Sequence, residues 1–194
     1  MKEGENSTDH QLVERAIQGE REAFDQLTTR HISKMYRIAR RLGLQAEDAA
    51  DVVQDAFLAA WRSLERFNFS YQFSTWITRI LVNRVSNRRR GLQRLKRYFI
   101  ASATAPPKGL KIENAPGVPA PHEDVERAER KRLLMQEIEK LPEQQKTVLV
   151  LFELEDYKIR EIASVLNISE GTVSSRLHHA RLQLRKRLEK ILKE

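Results

Sequence analysis

The sequence predicts an all-α protein of two small helical domains joined by a flexible proline-rich linker, and three observations carry that expectation. Apolar residues recur at helical spacing through both halves of the chain, with no convincing alternating strand. Five of the six prolines (Pro106, Pro107, Pro116, Pro119 and Pro121) fall within residues 102–121, together with Gly109 and Gly117, a composition that keeps a chain extended. A length of 194 residues with 40% hydrophobic content suits one domain or two small ones. The expected partition is residues 1–97, a linker over 98–121, and residues 122–194.

In the first half, Asp9 suits the N-cap of a short helix that buries Leu12, Val13, Ala16 and Ile17 and stops at Gly19. A second helix is expected over residues 21–42, with Phe24, Leu27, Met35 and Ala39 inward and Gly43 as its stop. The third, over 47–67, is the most legible. Val52, Val53, Ala56, Phe57, Ala60, Trp61 and Leu64 form an apolar stripe, and Asp48, Asp51, Asp55, Leu58 and Arg62 lie on another face. A fourth begins after Ser74, buries Trp76, Ile77, Ile80 and Leu81, and presents Thr78, Arg79, Asn83, Asn87 and Arg90 elsewhere.

Beyond the linker, a helix over 123–140 ends at Leu141-Pro142, and Pro142 opens the next because its missing N–H is not needed there. Val148, Leu149, Leu151 and Phe152 then supply a bundle core. Residues 159–173 have the spacing of a helix-turn-helix: Ala163 is small where two helices cross, Asn167 tolerates the left-handed turn, and Ser169 caps the second helix. Ile162, Leu166, Ile168, Val173 and Leu177 fill the space between them. The last helix runs on with Val173, Leu177, Ala180, Leu184, Leu188 and Ile191 expected on one buried face. Near its start Ser169, Thr172, Ser174, Ser175, Arg176, His178, His179 and Arg181 stand where a recognition helix meets duplex DNA. Arg176 suits a guanine edge and Arg181 a phosphate. A plain helix pair in a bundle has the same pattern, and the adjacent histidines point apart, which disfavours a metal site.

Charge narrows the chemistry. Residues 66–112 contain no Asp or Glu but eleven Arg and Lys and seven of the thirteen aromatic residues. Such an uncompensated positive field attracts phosphates, and Phe67, Phe69, Tyr71, Phe73 and Trp76 just before the Arg cluster could stack on unpaired bases. Taken alone, the stretch reads equally as core rings followed by a solvated helix end. Asp48, Asp51 and Asp55, three and four apart, could hold a divalent metal or form an acidic face; Leu58 among them favours a protein dock. The net charge of +8 and pI near 9.9 suit an acidic polymer as partner. The absence of cysteine excludes disulfides, thiolate zinc sites and Cys nucleophiles. The longest aliphatic or aromatic run, residues 148–152, is too short for a membrane span, and the polar start is no signal peptide, so a cytoplasmic location is expected.

Together these residues resemble the extracytoplasmic-function (ECF) group of bacterial RNA polymerase sigma factors. Asp51-Val-Val-Gln54-Asp55-Ala-Phe57-Leu-Ala-Ala-Trp61 is similar to that family's polymerase-binding helix, and Phe67 through Phe73-Ser-Thr75-Trp76-Ile77-Thr-Arg79 to Asn83 to its promoter-opening segment. Leu141-Pro142 and Glu161 through Gly171-Thr-Val173 to Arg181 resemble its second domain. The resemblance implies sigma region 2 over 1–97 and region 4 over 122–194. It also implies polymerase binding by Asp48, Asp51, Gln54, Asp55 and Leu58. Single-strand promoter contacts would fall to Asn68, Phe69, Ser70, Tyr71, Gln72, Arg79 and Asn83, and upstream duplex contacts to the eight residues of the last helix named above.

The implied partners are core RNA polymerase, promoter DNA as duplex and as non-template single strand, and an anti-sigma factor that could hold the protein at the membrane without insertion. No catalytic residue, metal or cofactor is implied. The chain departs from the family's usual residues in the loop 68–72 and at Ser174 and His179, positions that bear on promoter preference. An ordinary helix-turn-helix activator or repressor is the alternative, although it leaves the acid-free aromatic segment without a role. A metal-dependent nuclease is a weaker one.

Overall fold

The computed structural model describes residues 7–101 and 122–191; residues 102–121, which hold the proline-rich part of the expected linker, lie outside the described residues. The described residues form eight α-helices and no strand: α1 (Asp9–Ile17), α2 (Arg21–Arg41), α3 (Ala46–Arg62), α4 (Phe73–Ala101), α5 (His122–Glu139), α6 (Glu143–Leu149), α7 (Ile159–Leu166) and α8 (Glu170–Ile191). A 3-10 turn, Leu64–Arg66, follows α3, and a wide π turn, Val150–Leu154, extends α6. The all-α expectation holds.

Local chemistry sets the helix ends, with some corrections. Thr8, not Asp9, caps α1: its hydroxyl accepts from the Gln11 amide while the Gln11 side chain accepts from the Thr8 amide. Asp9 is thereby freed to bind Arg30 and His31 of α2. Ile17, expected in the core, is 37% exposed. The third helix stops at Arg62 rather than running to 67, because the Ser63 hydroxyl bonds the Ala59 carbonyl at 2.7 Å and the backbone turns out of helical geometry. Gly43, at φ +95°, ends α2 as expected, and a Cβ there would also collide with the Glu139 carboxylate.

Helices α1 to α4 pack into one bundle around Leu12, Leu27, Met35, Ile38, Phe73, Ile77 and Leu81, all fully buried. In the second half Val148, Leu151, Ile162, Val173 and Ala180 do the same for α6 to α8. The buried stripes contribute roughly 1.5–3 kcal/mol per large side chain. The stripe of α8 runs out of core: Leu184 and Leu188 are half-buried and Ile191, expected on the buried face, is exposed because the helix extends past the bundle.

The two bundles meet along α4 and α7. Thr78, expected on an outward face, is instead fully buried there, its hydroxyl 2.7 Å from the Tyr157 hydroxyl, which also donates to the Ser74 carbonyl. Asp156, at φ +57°, turns the chain sharply between Glu155 and Tyr157, so that both point into the first bundle. Ser86 of α4 donates to Glu143, and Glu139 lies 3.1 Å from Arg89 and 3.0 Å from the buried Lys146. Burial lowers the pKa of Lys146, and Glu139 opposes that shift.

Candidate protein and nucleic-acid interfaces

Helices α2 and α3 leave an open groove of about 1020 Å³ between their outer faces. Ile32 and Tyr36 of α2 and Leu58 and Trp61 of α3 line it, each at least 37% exposed. Trp61, expected in the core stripe, sits instead at its edge, where the ring packs 5.0 Å from Phe24 and keeps its other side open. Gln54 also lines the groove, and Asp51 and Asp55 are exposed on the same helix.

Asp48 has a different position. It is paired with Arg88 of α4 at 2.9 Å, a bond that raises the Arg88 pKa. The acidic face therefore begins at Asp51 and does not gather three carboxylates. Among the described residues no three His, Asp or Glu side chains converge as metal ligands. An exposed apolar strip bordered by acids matches the composition of a protein dock rather than of a merely solvated face.

The loop 68–72 joins the 3-10 turn to α4 and exposes every one of its side chains, with Phe69 at 40% and Tyr71 at 46%. Its flanking rings behave differently: Phe67 and Phe73 are buried, and Trp76 is half-buried 5.4 Å from Phe67. The stretch thus divides into a ring core and two outward rings. Arg79 and Asn83, one helical turn apart on α4, are exposed, as are Asn87 and Arg90 further along. A cationic helix beside outward aromatic rings is suited to phosphates and unpaired bases together.

In the second bundle α7 and α8 form a helix-turn-helix. Asn167 adopts φ 54° and ψ 50°, and Ser169 accepts from the Thr172 amide at 3.1 Å with the two hydroxyls 2.9 Å apart. Ser174 donates to the Glu170 carbonyl, and His179 Nδ1 donates to the Ser175 carbonyl. Ser175 and His178 are exposed and Arg176 is half-buried. Arg181 is not a free cation: its Nε lies 2.7 Å from Glu153, and its guanidinium covers the Phe152 ring at 5.4 Å.

A model of sigma-70 region 2 matches residues 27–95, and one of sigma-70, region 4 matches residues 131–184. The chain is 32% identical over 198 residues to the ECF RNA polymerase sigma-E factor of Haemophilus influenzae, with 97% of this chain and 99% of the relative covered. The chain belongs to the ECF sigma factors.

This ECF sigma factor is also 34% identical over 196 residues to the RNA polymerase sigma-H factor of Pseudomonas aeruginosa, covering 96% of each. Its fold matches CnrH, solved in complex with the cytosolic domain of CnrY, at a TM-score of 0.68 and 27% identity, covering 95% of this chain and 99% of CnrH. As an alternative sigma factor it directs core RNA polymerase to particular promoters. The region 2 match spans most of α2, all of α3, the loop 68–72 and most of α4, so the groove and the outward rings lie largely in it; the helix-turn-helix lies in the region 4 match. Sequence reasoning missed Ile32 and Tyr36, whose spacing of four on the outward face of α2 was the available signal. It also missed Glu155 and Tyr157, whose burial depends on a neighbour far away in sequence.

Proposed function

We propose that this sigma factor docks core RNA polymerase through the α2–α3 groove, with Leu58 as an apolar anchor and Asp51, Gln54 and Asp55 at its edge. Asp48 then acts indirectly, by fixing Arg88. In the same reading the loop 68–72 takes up unpaired bases of the non-template strand on Phe69 and Tyr71, with Arg79 and Asn83 beside them. The start of α8 enters the major groove of the upstream element. An anti-sigma protein binds the free factor, as the CnrH neighbour is bound by CnrY, and the factor works in the cytoplasm. No helix among the described residues is long and apolar enough to cross a membrane.

The observation that supports this reading best is the exposed strip of Ile32, Tyr36, Leu58 and Trp61 beside the exposed acids Asp51 and Asp55. The test is reconstituted transcription with purified core polymerase on a random promoter library, using the wild-type chain and Leu58→Arg. The wild type should initiate at a defined set of sequences. Leu58→Arg should lose core binding while keeping its helicity; full activity of that variant would place the dock elsewhere.

A further inference from the structure

The loop 68–72 is tied to α4 at its far end, where the Gln72 carbonyl accepts from the Thr75 and Trp76 amides at 3.1 and 3.2 Å, but the rest of it has few attachments. Asn68 Oδ1 accepts from the Ser70 amide at 2.9 Å and the Asn68 carbonyl accepts from the Tyr71 amide at 3.0 Å, so the loop folds on itself. Those bonds set its local shape without fixing where it points. A tie to the bundle comes from α1, sixty-one residues earlier: His10 Nε2 lies 3.0 Å from the Tyr71 carbonyl oxygen. A carbonyl only accepts, so Nε2 carries the hydrogen.

The same imidazole meets Phe69 edge-on at 5.7 Å between ring centres and Phe67 at 5.9 Å, while Phe67 and Phe69 themselves are 5.0 Å apart. One side chain therefore bonds the backbone of one outward ring residue and packs against the ring of the other. His10 is itself held firmly. The Thr8–Gln11 capping box fixes the first turn of α1, Asp9 takes Arg30 and His31 from α2, and Arg30 also reaches the Ser7 carbonyl at 2.7 Å. The chain of contacts runs from α2 through the start of α1 to the tip of the loop.

We propose that His10 is a positioning residue for single-strand capture, holding the loop 68–72 so that Phe69 and Tyr71 face outward before any base arrives. This inference rests on the reading of that loop as the base-binding element. A loop already in its bound shape spares the DNA the ordering cost, which otherwise reduces apparent affinity by the fraction of time the loop is competent. His10 touches neither DNA nor polymerase in this scheme and acts through the two rings.

The test uses the full chain assembled with core polymerase and a fluorescein-labelled promoter fragment selected with the wild-type holoenzyme from a random library. The fragment is prepared as a duplex and as a pre-melted bubble with an unpaired non-template strand. His10→Ala should weaken binding to the bubble by roughly ten-fold, while core affinity, duplex binding and melting temperature stay as in the wild type. His10→Gln, whose amide can donate from nearly the same place, should recover part of the loss. In a Phe69→Ala, Tyr71→Ala background, His10→Ala should add little, because its effect runs through those rings.

Wild-type bubble binding by His10→Ala, with the ring variants impaired, would overturn the role of His10 and leave the loop reading intact. Wild-type binding by the ring variants would overturn the loop reading and this inference with it. A loss in His10→Ala accompanied by a lower melting temperature and no recovery in His10→Gln would show ordinary structural support, and the proposal would fall.

Discussion

Glu155 of the second bundle is buried against Arg41 of the first, its Oε1 2.6 Å from the guanidinium, although the two residues lie 114 positions apart. Arg37 completes the arrangement with contacts of 2.9 and 3.0 Å, and the Glu155 side chain is fully shielded from water while Arg37 remains half exposed. The hydrogen bond to Glu155 raises the Arg37 pKa.

This asymmetry predicts unequal effects of substitution. Removing both arginines strips the buried carboxylate of both guanidinium partners, leaving Lys34 to act on it only through its charge, and should cost about 3–5 kcal/mol. Glu155→Ala should cost less, because the half-exposed Arg37 can turn to solvent and Arg41 keeps its bond to the Leu154 carbonyl. Urea unfolding of Arg37→Ala/Arg41→Ala against Glu155→Ala checks the order. Small-angle scattering should show the double variant expanding as the bundles part.

Tyr157 predicts an alkaline dependence. Burial pushes its phenol up to about 12, with the Thr78 hydroxyl opposing the shift. The phenol of the unfolded chain ionises near 10, so above that pH the unfolded state loses its proton first. Stability should fall by about 1.4 kcal/mol per pH unit between about 10 and about 12, and that contribution should be intact below pH 10. Tyr157→Phe should lack this slope while losing about 1 kcal/mol at neutral pH from the missing hydrogen bond. Urea midpoints for both proteins at about pH 8, 10.5 and 11 measure the difference; equal slopes would assign the effect to other groups.

Charge reversal on α3 tests the polymerase dock. Asp51→Lys with Asp55→Lys should leave helicity and thermal stability nearly unchanged, since both side chains are exposed. Core affinity should drop, most strongly at low salt, where charge steering is least screened. Undiminished binding by the folded variant would show that these acids lie outside the contact.

On α8, Arg176→Ala should flatten preference at one or two base pairs of the upstream element, a loss of about 1–3 kcal/mol in discrimination. Arg181→Ala should weaken all sequences alike. Because Glu153 holds Arg181, Glu153→Gln should tighten binding to every sequence at low salt and steepen the salt dependence. Binding of the three variants to a promoter library at two salt concentrations separates these outcomes.

The helices, their order and the family are legible along the chain. Helical periodicity is a property of neighbouring residues, and the motifs of region 2 and the helix-turn-helix are short enough to be read locally. Asn167 in the turn and Gly43 as a stop follow from backbone sterics and Ser169 at the cap from a local side-chain hydrogen bond, and the structure has each in that role. Packing settles which side chains remain available. Asp48 and Arg181 look alike with their neighbours in sequence, but Arg88 and Glu153 bind them. Thr78 looks solvent-facing until Tyr157 covers it, and Trp61 looks buried until α2 and α3 leave their groove open. His10 has no distinguishing sequence context at all. Its contact with Tyr71 exists only because α1 returns to the loop, and such long-range pairing depends on how whole helices pack rather than on any local spacing.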